Sequence, residues 1–286
     1  MNAFEQGSLS REDEFERKKQ QYFTRLALSF RSAFRLHRDA GLLWERDQSR
    51  RREWRNVSEH CLVEGARVGI LADLLFLSPQ ARKDLVFAAL LHDFFKRNEI
   101  ENMKEAATSG RPLREASLSS DQEGKVRLQA AQVPKNIIRL VGAAGNHPET
   151  IFEIKTILDK EELTEDDLSF LTMHYIDDYT KGDMWVTPVE MDKEHSRIND
   201  IDRRLREGGQ RYAKKMEEEE TAFRDNPDPF FHNKKGLQII SEIAHMVERR
   251  LADLVSERSG EAVDPLELPE IIDNVVREAV KREVLE

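Results

Sequence analysis

The sequence predicts an all-α fold. Three observations carry that expectation: apolar residues recur at three- and four-residue spacing in one segment after another, helix start and stop residues punctuate the gaps, and no stretch alternates apolar and polar positions as a half-buried strand does. The first segment follows Arg11, where Phe15, Tyr22, Phe23, Leu26, Ala27, Phe30 and Phe34 predict one long amphipathic helix. A second helix carries Val57, Cys61, Val68, Leu71 and Leu75 on one face. Ser78-Pro79 starts a third, because serine caps free amides and proline fits the first helical position without losing a needed N–H. This helix is apolar all round from Leu85 to Leu91, which places it at the centre of the core with His92 and Asp93 at its C-terminal end.

Residues 99–124 are polar and contain Gly110, Pro112 and several serines, which predicts a long loop or lid over the site, with room for short helical turns. Helical spacing resumes after Pro134 with Ile137, Ile138, Leu140 and Val141 and ends near Gly145-Asn146-His147-Pro148. Thr164-Glu165-Asp166-Asp167 resembles a capping box, and the helix it opens runs through Leu168, Leu171 and His174 to Asp177-Asp178. After Gly182 the composition shifts. Residues 190–220 are dense in both charges and suit a solvated helix pair broken at Gly208-Gly209, with Glu217 to Glu220 as a solvated acidic face. Beyond Asn226-Pro227-Asp228-Pro229, one apolar stripe (Leu237, Ile240, Ile243, Val247, Leu251, Leu254) and then another (Ile272, Val275, Val276, Ala279, Val280) suit packing on the chain's own core or on a second copy, a homo-oligomer through the C-terminal helices. The expected organisation is an N-terminal helix and basic segment (1–54), a central helical domain (55–185) and a C-terminal charged and amphipathic helical extension (186–286).

With 286 residues the chain is long enough to bury a substantial core. Charged residues make up 35% and the formal net charge is −10, which argues for a soluble protein and against a general nucleic-acid coat. The basic cluster Arg50-Arg51-Arg52 with Trp54 and Arg55 suits either phosphate and base-stacking contacts or a charged helix end. Cys61 is the single cysteine, so neither a disulfide framework nor a cysteine-based zinc site is expected, and its apolar helical face suits a buried inert thiol. No apolar run approaches the length of a bilayer span and Met1 to Arg11 lack a signal-peptide core, so a cytoplasmic location is expected.

The segment with most chemistry is Leu90-Leu91-His92-Asp93-Phe94-Phe95-Lys96, where an apolar run stops at a histidine, an aspartate and then a lysine. Burying a His-Asp pair beside Leu and Phe is costly unless something compensates the charge, and a divalent cation is one efficient compensator. Adjacent helical residues diverge by about 100°, so such an ion needs ligands from elsewhere. His60 lies 32 positions earlier, a separation that a helix, a short loop and an antiparallel helix would return to the same depth. Asp177 lies 84 positions after Asp93. Imidazole and carboxylate without thiolate suit Mn, Fe, Mg, Zn, Co or Ni.

His60, then His92-Asp93, then Asp177 resembles the H, HD, D pattern of the HD-domain superfamily of metal-dependent phosphohydrolases, and residues 90–96 resemble its HDxxK version. The resemblance covers roughly residues 55–185. It implies an all-helical HD core, His60, His92, Asp93 and Asp177 as ligands of one divalent metal, and hydrolysis of a nucleotide or another small phosphate ester by water that the metal activates. Asp178, next to Asp177, competes for the last ligand position. Two further histidines that some members use for a second metal are replaced here by Asp121-Gln122-Glu123-Gly124 and Asn146-His147-Pro148-Glu149, which favours a single ion. Asp121, Glu123 and His147 then stand as outer acids or bases or as substrate contacts. Lys96 suits either a catalytic phosphate contact, on a helix continuing from Asp93, or a cation at a helix C-terminus. Glu64, one turn after His60, either orients that imidazole or is a surface charge. His174 either lines the pocket or is structural, and His37, His195, His232 and His245 are expected to be structural or solvent-facing. The competing functional class is a non-catalytic HD module that binds a nucleotide or a protein partner around a structural metal.

Overall fold

The computed structural model describes residues 10–42, 55–180 and 213–282, and among the described residues the fold consists of twelve α-helices and one short 3-10 turn, with no strand. The Arg50 to Trp54 cluster, the Arg55 side chain, His195 and the Gly208-Gly209 break lie outside them.

The aromatic N-terminal segment forms two helices, α1 (Arg11–Ser29) and α2 (Arg31–Asp39), where one was expected. The break is at Phe30, whose backbone leaves the helical region (φ −122°, ψ 46°) and whose ring stacks on Phe87 at 5.9 Å between centroids. Apolar spacing continues across the break, so periodicity alone does not register it.

Helices α3 (Arg55–Leu74) and α4 (Pro79–Ala89) pack extensively against each other. Ser78 caps α4 by accepting from the Ala81 amide, with Pro79 at the first position, as its sequence predicts. Gly65 and Gly69 make the approach possible: a Cβ on Gly65 would lie 3.1 Å from Leu90 Cδ2, and one on Gly69 3.3 Å from Val86 Cγ2. Leu85, Val86, Leu90 and Leu91 are all buried, and burial of each such side chain contributes about 1.5–3 kcal/mol. The helix ends at Ala89, however. Residues 90–95 descend in successive turns, with Lys96 N–H on Asp93 O at 3.0 Å, so His92 and Asp93 stand just beyond α4 and Lys96 opens a new helix.

The expected lid is a pair of helices, α5 (Lys96–Ser109) and α6 (Leu113–Ala130). Gly110 is the left-handed cap of α5 (φ 78°) and Pro112 precedes α6, so the turn signals mark a short corner only. Two of the serines that suggested a loop, Ser117 and Ser120, are small residues at the helix interface. Ser117 donates to Glu99, Ser120 accepts from Asn102, and Met103, Ala106, Leu113 and Ala116 form a small apolar core of their own.

After α7 (Lys135–Ala143) comes a helix that sequence reading passed over, α8 (Pro148–Leu158), which begins on Pro148 and turns Ile151, Ile154 and Ile157 inward. Helix α9 (Glu165–Tyr179) opens with a full Thr164–Asp167 capping box and is buried continuously from Asp167 to Tyr179. It is therefore the second central helix, touching α3, α4, α7 and α8.

The C-terminal part comprises α10 (Ala213–Asp225), the turn Pro229–Phe231, α11 (Gly236–Ser259) and α12 (Leu268–Arg282). Both apolar stripes pack on the chain itself, α11 against α8 and α9 and α12 against α3 and α1. Arg67 of α3 donates to Asp273 of α12 at 2.9 Å in a buried pair. The acidic run is not wholly solvated: Glu219 and Phe223 face inward and are buried. No described helix is long and apolar enough to cross a membrane.

Candidate metal centre

The turn after α4, the first half of α3 and the end of α9 meet at one point. There His60, Glu64, His92 and Asp177 each bring a donor atom within 4.8 Å of the others. Nε2 of His60 lies 2.9 Å from Glu64 Oε1 and 3.7 Å from Asp177 Oδ1. Nε2 of His92 lies 3.6 Å from the same Asp177 oxygen and 3.7 Å from Asp93 Oδ2, while its Nδ1 sits 2.8 Å from the Ala89 carbonyl and 3.2 Å from Glu64 Oε2. Each imidazole is anchored by its helix. His60 and Glu64 share a face of α3 one turn apart, and the Ala89 carbonyl orients the His92 ring.

This group fits a divalent cation. No hydrogen bond satisfies His92 Nε2 or either oxygen of Glu64, although Glu64 is fully buried. Separations of 3.6 and 3.7 Å are too long for direct bonds. Two donors each about 2.1 Å from one tetrahedral ion stand about 3.4 Å apart, close to what is seen. Three carboxylates, Glu64, Asp93 and Asp177, crowd two imidazoles, an arrangement whose charge a bound cation would offset. That imbalance is visible on His60, whose pKa is pushed up to about 10: burial acts to lower it and is outweighed by Glu64 first and then by Asp177 and Asp93.

The tight group differs from the set implied by the resemblance in one member. Glu64 stands inside it, whereas Asp93 flanks it and faces Lys96, with Nζ 3.5 Å from Asp93 Oδ1 and 3.2 Å from Glu99. Burial raises the Asp93 pKa, but Lys96 first and then His92 and His60 hold it below the usual carboxylate range. Asp93 and Glu99 in turn keep the lysine charged. Because Lys96 begins α5, the helix dipole opposes its charge; the stabilised cation at a helix C-terminus is not what the structure shows.

The remaining candidates divide. Asp121 and His147 line the cavity that opens from the metal group, a space of about 540 Å³, within the range of small-molecule sites. Glu123 does not line it; it points outward and pairs with Arg127 at 2.9 Å. His174 is fully buried, with Nδ1 2.9 Å from the Ala143 carbonyl and Nε2 3.2 Å from Asp178, so it is structural. Asp178 lines the cavity too, but it accepts from Asn146 and sits with His174 rather than with His60 and His92. His37 is structural too: Nε2 meets the Leu90 carbonyl at 2.6 Å and Nδ1 meets Ser58 Oγ at 2.8 Å, which props the turn that carries His92. Cys61 is buried, and burial pushes its thiol up, as an inert thiol requires.

Sequence reading missed Lys215 and Glu219, which α10 brings to the far side of the cavity. Their one-turn spacing was legible, but nothing local ties them to residues more than a hundred positions earlier. No family model, no curated protein and no solved structure matches this chain.

Proposed function

We propose that the chain is a metal-dependent phosphohydrolase of the HD type acting on a nucleotide or a related small phosphate ester. The observation that supports this reading is the opening of His60, His92 and Asp177 from the His60, Glu64, His92 and Asp177 group, together with the Lys96 ammonium, onto one cavity. A divalent ion bound there supplies Lewis acidity and lowers the pKa of its water from about 15.7 towards about 7. His60, His92 and Asp177 hold the ion, and Glu64, between the two imidazoles, holds them in place or joins them as a ligand. Asp93, kept ionised by its neighbours, accepts a proton at its carboxylate. Lys96 binds a phosphate oxygen and offsets the charge that builds there. The apolar part of the wall, including Ile100, Met103 and Leu128, excludes water from the rest of the ester.

The test is phosphate release from a panel of nucleotides and simple phosphate esters with Mn, Mg, Co and Ni, set beside the metal content of wild type and of a His92→Ala, Asp93→Ala double variant. Turnover that disappears together with the bound metal is the expected result. No turnover under any metal alongside tight nucleotide binding would instead make the chain a non-catalytic HD module with a structural ion.

A further inference from the structure

The cavity has a second polar wall, to which the hydrolytic reading gives no task. It forms where α10 meets the residues just ahead of α8. Glu219 lies there with 1% of its surface exposed. Its Oε1 stands 3.3 Å from Nδ1 of His147 and 3.5 Å from Nζ of Lys215, yet neither Oε1 nor that Nδ1 has a hydrogen-bond partner. Asn146 donates one amide N–H to Asp178 Oδ1 at 3.2 Å, which fixes the orientation of the amide, and its buried oxygen has no partner. All three side chains line the cavity that His92 and Lys96 also line.

A carboxylate and an amide oxygen accept hydrogen bonds and donate none. A phosphate dianion has the same deficiency and finds no donor on Glu219 or the Asn146 oxygen, and Lys215 in this wall is already paired with Glu219, so on the hydrolase reading the phosphate goes to Lys96 and the metal group. What satisfies the wall is a donor on the ligand. An ammonium group is the poorer match, because Lys215 already brings a positive charge to Glu219. Hydroxyl groups donate to Glu219 and Asn146 and exchange either role with His147 Nδ1.

We infer that Glu219, Asn146 and His147 bind hydroxyl groups on the non-reacting part of the substrate, so that the preferred ligand is a polyhydroxylated phosphate ester of the sugar-phosphate or ribose-phosphate kind. The position of the phosphate rests on the hydrolase reading; the recognition of hydroxyls does not. Two of the wall's groups, Glu219 and Lys215, come from α10, beyond the span that resembles the HD domain. Selectivity is thus contributed from outside the helices that hold the metal group.

The full chain with Mn²⁺ is titrated calorimetrically with ribose 5-phosphate and with pentyl phosphate, which match in charge and carbon number, and the same samples are assayed for released phosphate. Wild type is expected to prefer ribose 5-phosphate by at least about tenfold, the scale of one or more hydrogen bonds to a charged acceptor. In Glu219→Gln the ratio of the two affinities falls towards one, and Asn146→Leu carries the same test if that variant does not fold. Equal affinity for both esters, binding of neither, or a preference that survives both substitutions overturns the inference. A hydroxyl preference without phosphate release upholds the inference and removes the hydrolase reading. Release from both esters without a preference does the reverse.

Discussion

Two adjacent carboxylates at the end of α9 meet different surroundings. Asp177 lies beside two imidazoles, 3.7 Å from His60 Nε2 and 3.6 Å from His92 Nε2. Asp178 accepts from the Asn146 amide at 3.2 Å and lies 3.2 Å from His174 Nε2. Both are buried acids beside buried histidines, so composition treats them alike. Their company separates them: Asp177 belongs to the group that could hold an ion, and Asp178, although it lines the same cavity, is held by Asn146 beside His174.

Substitutions that break this contrast have graded effects. Asp177→Ala is expected to abolish stoichiometric metal binding, read by elemental analysis, and to lower kcat by about a thousandfold or more, since it removes a ligand rather than a support. Lys96→Ala should leave the metal content intact and lower kcat about a hundredfold, the loss of one preorganised charge facing the phosphate. Glu64→Gln should weaken metal affinity by about 10- to 100-fold if the acid only orients the imidazoles; a loss as large as that of Asp177→Ala would make it a ligand. Asp178→Asn should retain the metal and cost about 1–3 kcal/mol in urea unfolding, the scale of a disturbed buried hydrogen bond.

A fifth prediction concerns pH. His37 is buried neutral, its pKa lowered from 6.5 to about 4, chiefly by burial and partly by the charge of His92, with the Leu90 carbonyl and Asp93 opposing. Between those values the unfolded chain binds the extra proton and the folded chain does not, so stability falls as pH drops from 6.5 to 4 and this contribution is flat outside that window. The full effect is about 3 kcal/mol. His37→Asn should flatten that part of the urea-midpoint profile; an unchanged slope would show that His37 is not the group responsible.

Much of this was legible in the sequence, for identifiable reasons. Ser78-Pro79 and Thr164 to Asp167 work through contacts within four residues, so both caps formed where the residues dictate. The His92-Asp93 break in an apolar run marks a local conflict between burial and charge, and the structure resolves it at the metal group. Signals that depend on which way a residue faces were misread. Ser117 and Ser120 resemble loop residues until the partner helix that needs small side chains is known. Glu64 shares its spacing with any surface acid, and only the return of α4 against Gly65 and Gly69 encloses it. Glu219 sits in an acidic run that reads as solvated, and its burial depends on α6 and α8 arriving beside α10.

The Arg67–Asp273 pair bears on the order of assembly. Helix α3 carries two of the four metal-group residues, and one turn beyond Glu64 the Arg67 guanidinium reaches a carboxylate 206 positions away while also donating to Thr180. Until α12 docks, α3 holds a cation destined for burial with no countercharge, and such a charge is strongly destabilising. The seat of two metal-group residues is thus coupled to a contact between distant parts of the chain, since Arg67 can be buried at low cost only with α12 in place. A chain ending before Leu268 would keep every one of those residues and leave the helix beneath two of them without its anchor.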